Sequence, residues 1–225
     1  VGYYERHPKF LVAVDCIIFG VQDGSLKLLL IQRNFQPEMG RWSIMGGFTR
    51  EGESVDDAAR RVLVDLTGLD NVFIEQVKAY GRVDREPYDR VVSVAYYALM
   101  NVKDYDVSLG EKHNAHWVDI HELPELIFDH GEMIGDALRK IRQEASARPV
   151  AFNLLPPEFT LTQLQKVLEA IYDGKYDKRN FRKKVALLPY VEPTGRVDKS
   201  ESKRGAALFR FNEKKFEKER EHKIF

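Results

Sequence analysis

The sequence predicts an α+β chain in two parts: a sheet-and-helix sandwich over residues 1–148, then a smaller helical unit with a hairpin over residues 149–225. Three observations predict it. Apolar segments of strand length, with only two amphipathic helices among them, run to about residue 145 and fit an α/β or α+β sandwich. A stretch holding Pro149, Pro156 and Pro157 follows and marks a boundary. Two short amphipathic helices and two short apolar segments then complete the chain.

Phe10–Val21 reads as a buried strand with Val12, Val14, Cys16 and Ile18 on one face, and Leu26–Arg33 as its hairpin partner across Gln22-Asp23-Gly24-Ser25. Trp42–Phe48 is a short apolar run broken by Gly46-Gly47. Ser54 then caps a helix whose Val55, Ala59, Val62, Leu63 and Leu66 repeat at helical spacing, with Gly68 placed for a left-handed C-terminal cap and Leu69 beyond it. Strands are predicted at Asn71–Gly81, Arg90–Met100 and Asn114–Asp119. Asp129-x-x-Glu132 reads as a capping box opening a helix to about Glu144, with Met133, Ile134, Ala137, Leu138 and Ile141 on one face. In the second part Thr160-Leu-Thr-Gln163 is another capping box, and Leu161, Leu164, Val167, Leu168 and Ile171 form the apolar stripe of its helix, which Gly174 ends. Asp177 caps the next helix, with Phe181, Val185 and Leu188 inward and Pro189 as its stop. Short strands are predicted at Tyr190–Glu192 and Ala206–Phe211, around a polar loop rich in Lys and Arg.

Composition narrows the function classes. Of 225 residues 44% are hydrophobic and 31% charged, enough to bury a core. No apolar run reaches the roughly 18–20 residues that cross a bilayer, and Val1–Phe10 lacks an apolar signal core, so a soluble cytoplasmic protein with no membrane partner is expected. The single Cys16 excludes an intrachain disulfide and a cysteine-based zinc site. His113-x-x-His116 has the spacing of a metal pair but lacks an evident third ligand, so no metal is expected there. Net charge is zero, yet residues 151–225 hold 17 basic against 11 acidic side chains and residues 1–150 hold 18 against 24. That asymmetry suits a second part that meets a polyanion, although a solvated basic surface produces it too.

From Gly47 to Leu69 the chain resembles the Nudix box, G-x5-E-x7-R-E-U-x-E-E-x-G-U with U a bulky aliphatic residue. Gly47, Glu53, Arg61, Leu63, Gly68 and Leu69 fall in register. The resemblance implies a Nudix α/β/α sandwich, in a family whose enzymes hydrolyse nucleoside diphosphates linked to another group. The family's three helix carboxylates fall on Val62, Asp65 and Leu66, so one acidic group remains where several hard oxygen ligands are needed for Mg²⁺. The expectation is a degenerate Nudix domain: no catalytic residue, no metal, no cofactor and no enzyme activity. The cleft itself is expected to persist as an effector site. Its candidates are Asp15, Arg33, Trp42, Phe48, Asp84, Arg85, Glu86 and Tyr88, because carboxylates and arginine bond hydroxyls while aromatic rings cover a sugar face.

The second part resembles a winged helix-turn-helix. Its second helix would read the major groove through Lys178, Arg179, Asn180, Arg182 and Lys183, with Arg196, Lys199, Lys203 and Arg204 on the wing. A degenerate Nudix domain followed by a winged helix is similar to the Nudix-related transcription regulators, the NrtR and AraR groups. The stretches 159–165, 178–183 and 96–99 carry that resemblance. It implies a homodimer that binds palindromic double-stranded operator DNA and senses a small metabolite. The whole sequence looks closer to the arabinose-responsive branch of Bacteroidetes, which makes a repressor of arabinose-utilisation genes released by L-arabinose the favoured expectation. An ADP-ribose-responsive regulator of NAD metabolism and an active Nudix hydrolase are the alternatives. The interdomain change on effector binding is expected near residues 147–159.

Overall fold

The computed structural model describes residues 2–105, 107–200 and 204–222. Strands β1 (Leu11–Gln22) and β2 (Ser25–Gln32) form a hairpin whose turn residues Asp23 and Gly24 both adopt positive φ, the geometry a two-residue hairpin turn demands. β1 is the centre of the sheet. It pairs with β2 over its second half, with β4 (Met45–Phe48) over its first half, and in parallel with β6 (Val91–Leu99) from Leu11 to Phe19. β5 (Phe73–Tyr80) extends the β6 edge, while β3 (Trp42–Ser43) and β7 (Ala115–Asp119) extend β2.

Alternation along β1 splits the core into two layers. Val14, Cys16 and Ile18 pack with Ala58, Ala59, Val62 and Leu63 of helix α1 (Val55–Thr67). Ile17 and Phe19 belong to the layer that holds Met133, Ile134, Ala137 and Ile141 of helix α3 (His130–Ala147). Val12, expected in the first layer, is exposed beyond the end of the core. A short helix α2 (Val107–His113), which no sequence pattern announced, lies before β7.

The α1 caps form as expected. The Ser54 hydroxyl accepts from the Asp57 amide at 3.1 Å, the Asp57 carboxylate accepts from the Ser54 amide at 3.2 Å, and Gly68 closes the helix at φ 73°. The Asp129-x-x-Glu132 capping box does not form. Asp129 precedes α3 but makes no side-chain cap, because its carboxylate is held by Arg85, 44 residues away in sequence.

The second unit contains β8 (Phe159–Thr160), α4 (Leu161–Tyr172), α5 (Lys178–Val185), β9 (Val191–Asp198), β10 (Ala206–Phe211) and α6 (Glu213–His222). Its three strands lie in the order β8-β10-β9. The Thr160/Gln163 capping box opens α4, and the chain leaves α4 at Asp173 in the left-handed region, one residue before Gly174. β9 extends to Asp198, well past the predicted Glu192, so Arg196 sits within the strand. α6 was unforeseen: Phe216 anchors it edge-on to Tyr190, with ring centres 5.1 Å apart.

The boundary is not a free linker. Val150, Ala151 and Leu154 form a buried 3₁₀ turn, and one continuous core joins α3 with Leu164, Val167 and Ile171 of α4. Exposing that turn in an interdomain swing would uncover about 1.5–3 kcal/mol of apolar burial for each large side chain.

Candidate functional site

A cleft of about 350 Å³ opens between the start of β1, the β4 strand, the 33–37 loop and the first turn of α3. Its floor is charged and buried. Asp15 follows the odd-numbered alternation of β1, and its Oδ2 accepts from the Ser93 hydroxyl at 2.5 Å. Arg85 Nη2 lies 3.8 Å from the same carboxylate and grips Asp129 through two hydrogen bonds, at 2.7 and 3.0 Å. His130 Nδ1 accepts from the Ile44 amide at 3.3 Å, which leaves the proton of its neutral form on Nε2, 3.9 Å from Asp15 Oδ1. Burial pushes the His130 pKa down, which disfavours the imidazolium form. Gly46 makes the close approach possible: a Cβ there would stand 2.3 Å from Asp15 Oδ1 and 2.8 Å from the Val14 carbonyl.

Five of the eight predicted cleft residues line it: Asp15, Arg33, Phe48, Arg85 and Glu86. Arg33 donates from Nε to the Pro37 carbonyl at 2.8 Å and stacks on Phe35 at 4.1 Å. Burial, ahead of its charged neighbours, raises the Glu86 pKa. The other three lie elsewhere. Trp42 turns into the core beside His116, with ring centres 5.5 Å apart. Asp84 is exposed next to Arg82. Tyr88 stands outside the lining, 58% exposed, with its hydroxyl donating to Glu38. Sequence reasoning missed Phe35, Phe128 and His130. The latter two arrive on the turn into α3, far along the chain from β1, and only the tertiary fold brings them there. His116 pairs with Asn114, and among the described residues no three His, Cys, Asp or Glu side chains gather as a metal site.

Around the Gly47–Leu69 motif the structure separates scaffold from chemistry. Arg61 clamps Glu53 at 2.6 and 3.0 Å and also donates to the Phe48 carbonyl, which ties the loop between β4 and α1 to the helix. Val62 is 4% exposed in the core, and a Cβ on Gly47 would meet its Cγ2 at 3.1 Å. Leu66 packs against the same layer, while Asp65 is exposed, 4.0 Å from Arg61. These residues do not fit a divalent ion at this helix: two of the three positions are hydrocarbon packed into the fold.

The Glu53 clamp has a pH signature. The Arg61 hydrogen bonds bring its pKa from 4.5 down to about 2. A depressed folded-state value means that this carboxylate adds stability above the ordinary pKa and loses it as pH falls from about 4.5 towards about 2. Glu53→Gln is therefore expected to flatten the acid limb of a stability–pH profile in that window, measured by urea unfolding at successive pH values. An acid limb as steep as in the wild type would refute the clamp's role.

In the second unit, Phe181 and Val185 turn inward while Lys178, Arg179, Asn180, Arg182 and Lys183 all face solvent. Lys184, absent from the sequence-based set, is exposed with them. Among the described residues none of these basic side chains forms an ion pair, so the helix presents uncompensated charge. Arg196 differs, since its guanidinium is tied to Glu158. Lys199 and Arg204 are exposed beyond the ends of β9 and β10; Lys203 lies outside the described residues.

Comparisons with known proteins agree with both halves. Residues 9–156 match the NUDIX domain, and residues 151–211 match the NrtR DNA-binding winged helix domain. The ADPR-responsive transcriptional repressor NtrR of Acinetobacter baylyi is 34% identical over 209 residues, 91% of this chain and 83% of its own. The ADP-ribose pyrophosphatase of Methanocaldococcus jannaschii is 33% identical over 134 residues, 59% of this chain and 75% of its own. The crystal structure of Shewanella oneidensis NrtR complexed with a 27mer DNA superposes with a TM-score of 0.80 at 28% identity, covering 91% of this chain and 94% of that one. The NUDIX domain of the same protein, complexed with ADP ribose, superposes with a TM-score of 0.51 at 27% identity over 61% of this chain and 92% of that one.

Proposed function

Because the chain belongs to the Nudix family, in the group that carries an NrtR-type DNA-binding winged helix, we propose that it is a transcriptional repressor whose Nudix cleft senses ADP-ribose without hydrolysing it. The observation that carries the reading is a retained polar cleft beside a plugged metal face. Asp15, Arg33, Arg85 and Glu86 stay in the cleft, whereas Val62 and Leu66 occupy the helix positions that a metal-dependent hydrolase needs for carboxylates. The cleft chemistry suits a nucleoside diphosphate sugar. Arg33 supplies a cation for phosphate, Asp15 and Glu86 accept from ribose hydroxyls, and Phe35, Phe48 and Phe128 offer ring faces.

The A. baylyi repressor and the S. oneidensis Nudix domain both favour this effector over the L-arabinose expected from whole-sequence resemblance, for which the comparisons offer no support. A pentose keeps one argument, since a ligand without a diphosphate has no need of a metal. It is therefore the second arm of the test. The working unit is proposed to be a homodimer, whose two α5 helices meet the half-sites of a palindrome.

The test is fluorescence anisotropy with genomic fragments that the protein itself selects, titrated at fixed salt with ADP-ribose and with L-arabinose, alongside a Mg²⁺-dependent hydrolysis assay on ADP-ribose. Weakened DNA binding with ADP-ribose and no turnover is expected. Weakening by arabinose alone would move the protein to the pentose branch, and turnover would return it to the hydrolases. Arg182→Ala should cost about 1–3 kcal/mol of specific affinity if it contacts a base; unchanged affinity would place the reading surface elsewhere.

A further inference from the structure

We propose that α3 couples the cleft to the DNA-reading unit, with Arg142 as the positioning residue at its far end. The inference rests on the reading of the cleft as the effector site and of α5 as the reading helix. The first turn of α3 is part of the cleft: His130 lines it, and Asp129 just before it takes both hydrogen bonds from Arg85. The helix then runs 18 residues, about 27 Å at 1.5 Å per residue. Three turns along, Arg142 Nε donates to the Ile171 carbonyl at 2.7 Å, and the Tyr172 hydroxyl donates back to the Arg142 carbonyl at 3.3 Å.

The place of that contact gives it leverage. The Ile171 carbonyl is among the last four of α4, which have no partner within their own helix, and a cation is favoured at a helix C-terminus. Arg142 thus fixes the end of α4, from which the chain turns at Asp173 and enters α5 at Lys178. Ile141 and Ile171 are fully buried in the same core, so α3 and the end of α4 are packed as one body. The alternative route, a swing about residues 150–154, would have to expose Val150, Ala151 and Leu154. An effector that displaces the Arg85–Asp129–His130 corner therefore acts on the start of a stiff helix whose other end holds the base of the reading head.

The test compares wild type, Arg142→Met, the milder Tyr172→Phe, and Arg139→Met as an exposed control on the same helix. ADP-ribose affinity of the free protein is read by calorimetry, and operator affinity by anisotropy with and without saturating ADP-ribose. In the wild type the effector is expected to weaken the operator complex by about 5–150-fold, the usual range of allosteric coupling. Arg142→Met should bind both ligands with that ratio reduced below about twofold, Tyr172→Phe should lie between, and Arg139→Met should match the wild type. A wild-type ratio in a folded Arg142→Met protein overturns the inference. If ADP-ribose leaves wild-type DNA binding unchanged, the effector assignment falls by itself. The coupling is then read without effector, from the His130 ring signals of histidine-labelled protein on adding operator DNA. A shift in wild type that vanishes in Arg142→Met supports it; equal shifts, or none in wild type, overturn it.

Discussion

Arg85→Met should destabilise the protein by about 3–5 kcal/mol, the range seen when one partner of a buried ion pair is removed. Arg85 is 5% exposed, Asp129 6% and Asp15 7%. The guanidinium satisfies both oxygens of Asp129 and faces Asp15 at 3.8 Å. Methionine keeps much of the hydrocarbon volume and removes every donor, so the loss reports charge and not a cavity. Asp15 retains Ser93, which makes Asp129 the carboxylate left without compensation. Arg85→Met/Asp129→Leu should recover much of the deficit, since an apolar pair of similar volume often replaces a buried ion pair at little cost. Chemical unfolding of the single and double variants checks both statements. A single-variant loss below about 1 kcal/mol would mean that water already screens the corner, as at exposed pairs.

That corner also shows why part of the site was legible and part was not. Asp15 announced itself as a carboxylate inside an apolar strand, and a buried charge must find partners. Its partners came from residues 85, 93 and 130, separations that no local pattern encodes. Asp129 departs from its local pattern for the same reason: the spacing of Asp129 and Glu132 is that of a capping box, but a bidentate arginine outcompetes a helix amide for a carboxylate. α1 was legible because each of its signals is local, with the Ser54 cap and Gly68 at its two ends; the Asp57 half of its capping box went unread. Trp42 failed as a cleft residue because an aromatic beside a glycine-rich run fits core or cleft equally well, and the pairing of β3 with β2 turned it to the core. The second unit was read through its two helix caps and the charge of α5, all local. α6 escaped because it has almost no apolar stripe of its own: Phe216 packs on Tyr190 and Phe211, and Lys215 pairs with Glu192 across the fold.

Val62→Glu restores one carboxylate of the Nudix pattern and should nonetheless destabilise the fold by roughly 3–5 kcal/mol, the scale of an uncompensated buried charge. Val62 is 4% exposed within the α1 layer, and the backbone of Gly47 lies directly against it. The longer glutamate must also push that loop outward, a strain that itself costs typically 1–3 kcal/mol. The preceding residue, Arg61, offers little relief, because it already serves Glu53 and the Phe48 carbonyl. A drop of this size should lower the urea midpoint by about 1–2.5 M for a slope near 2–3 kcal/mol/M. If Val62→Glu proved as stable as the wild type, the side chain would have to reach solvent, and the plugged face would be a thin lid over a metal site. The adjoining test is Val62→Glu/Leu66→Glu with Mg²⁺ and ADP-ribose. Turnover in that variant and none in the wild type would assign the missing hydrolase chemistry to these two positions. Turnover in the wild type itself would show that Glu53 and Asp65 suffice, and the non-hydrolytic sensor reading would be abandoned.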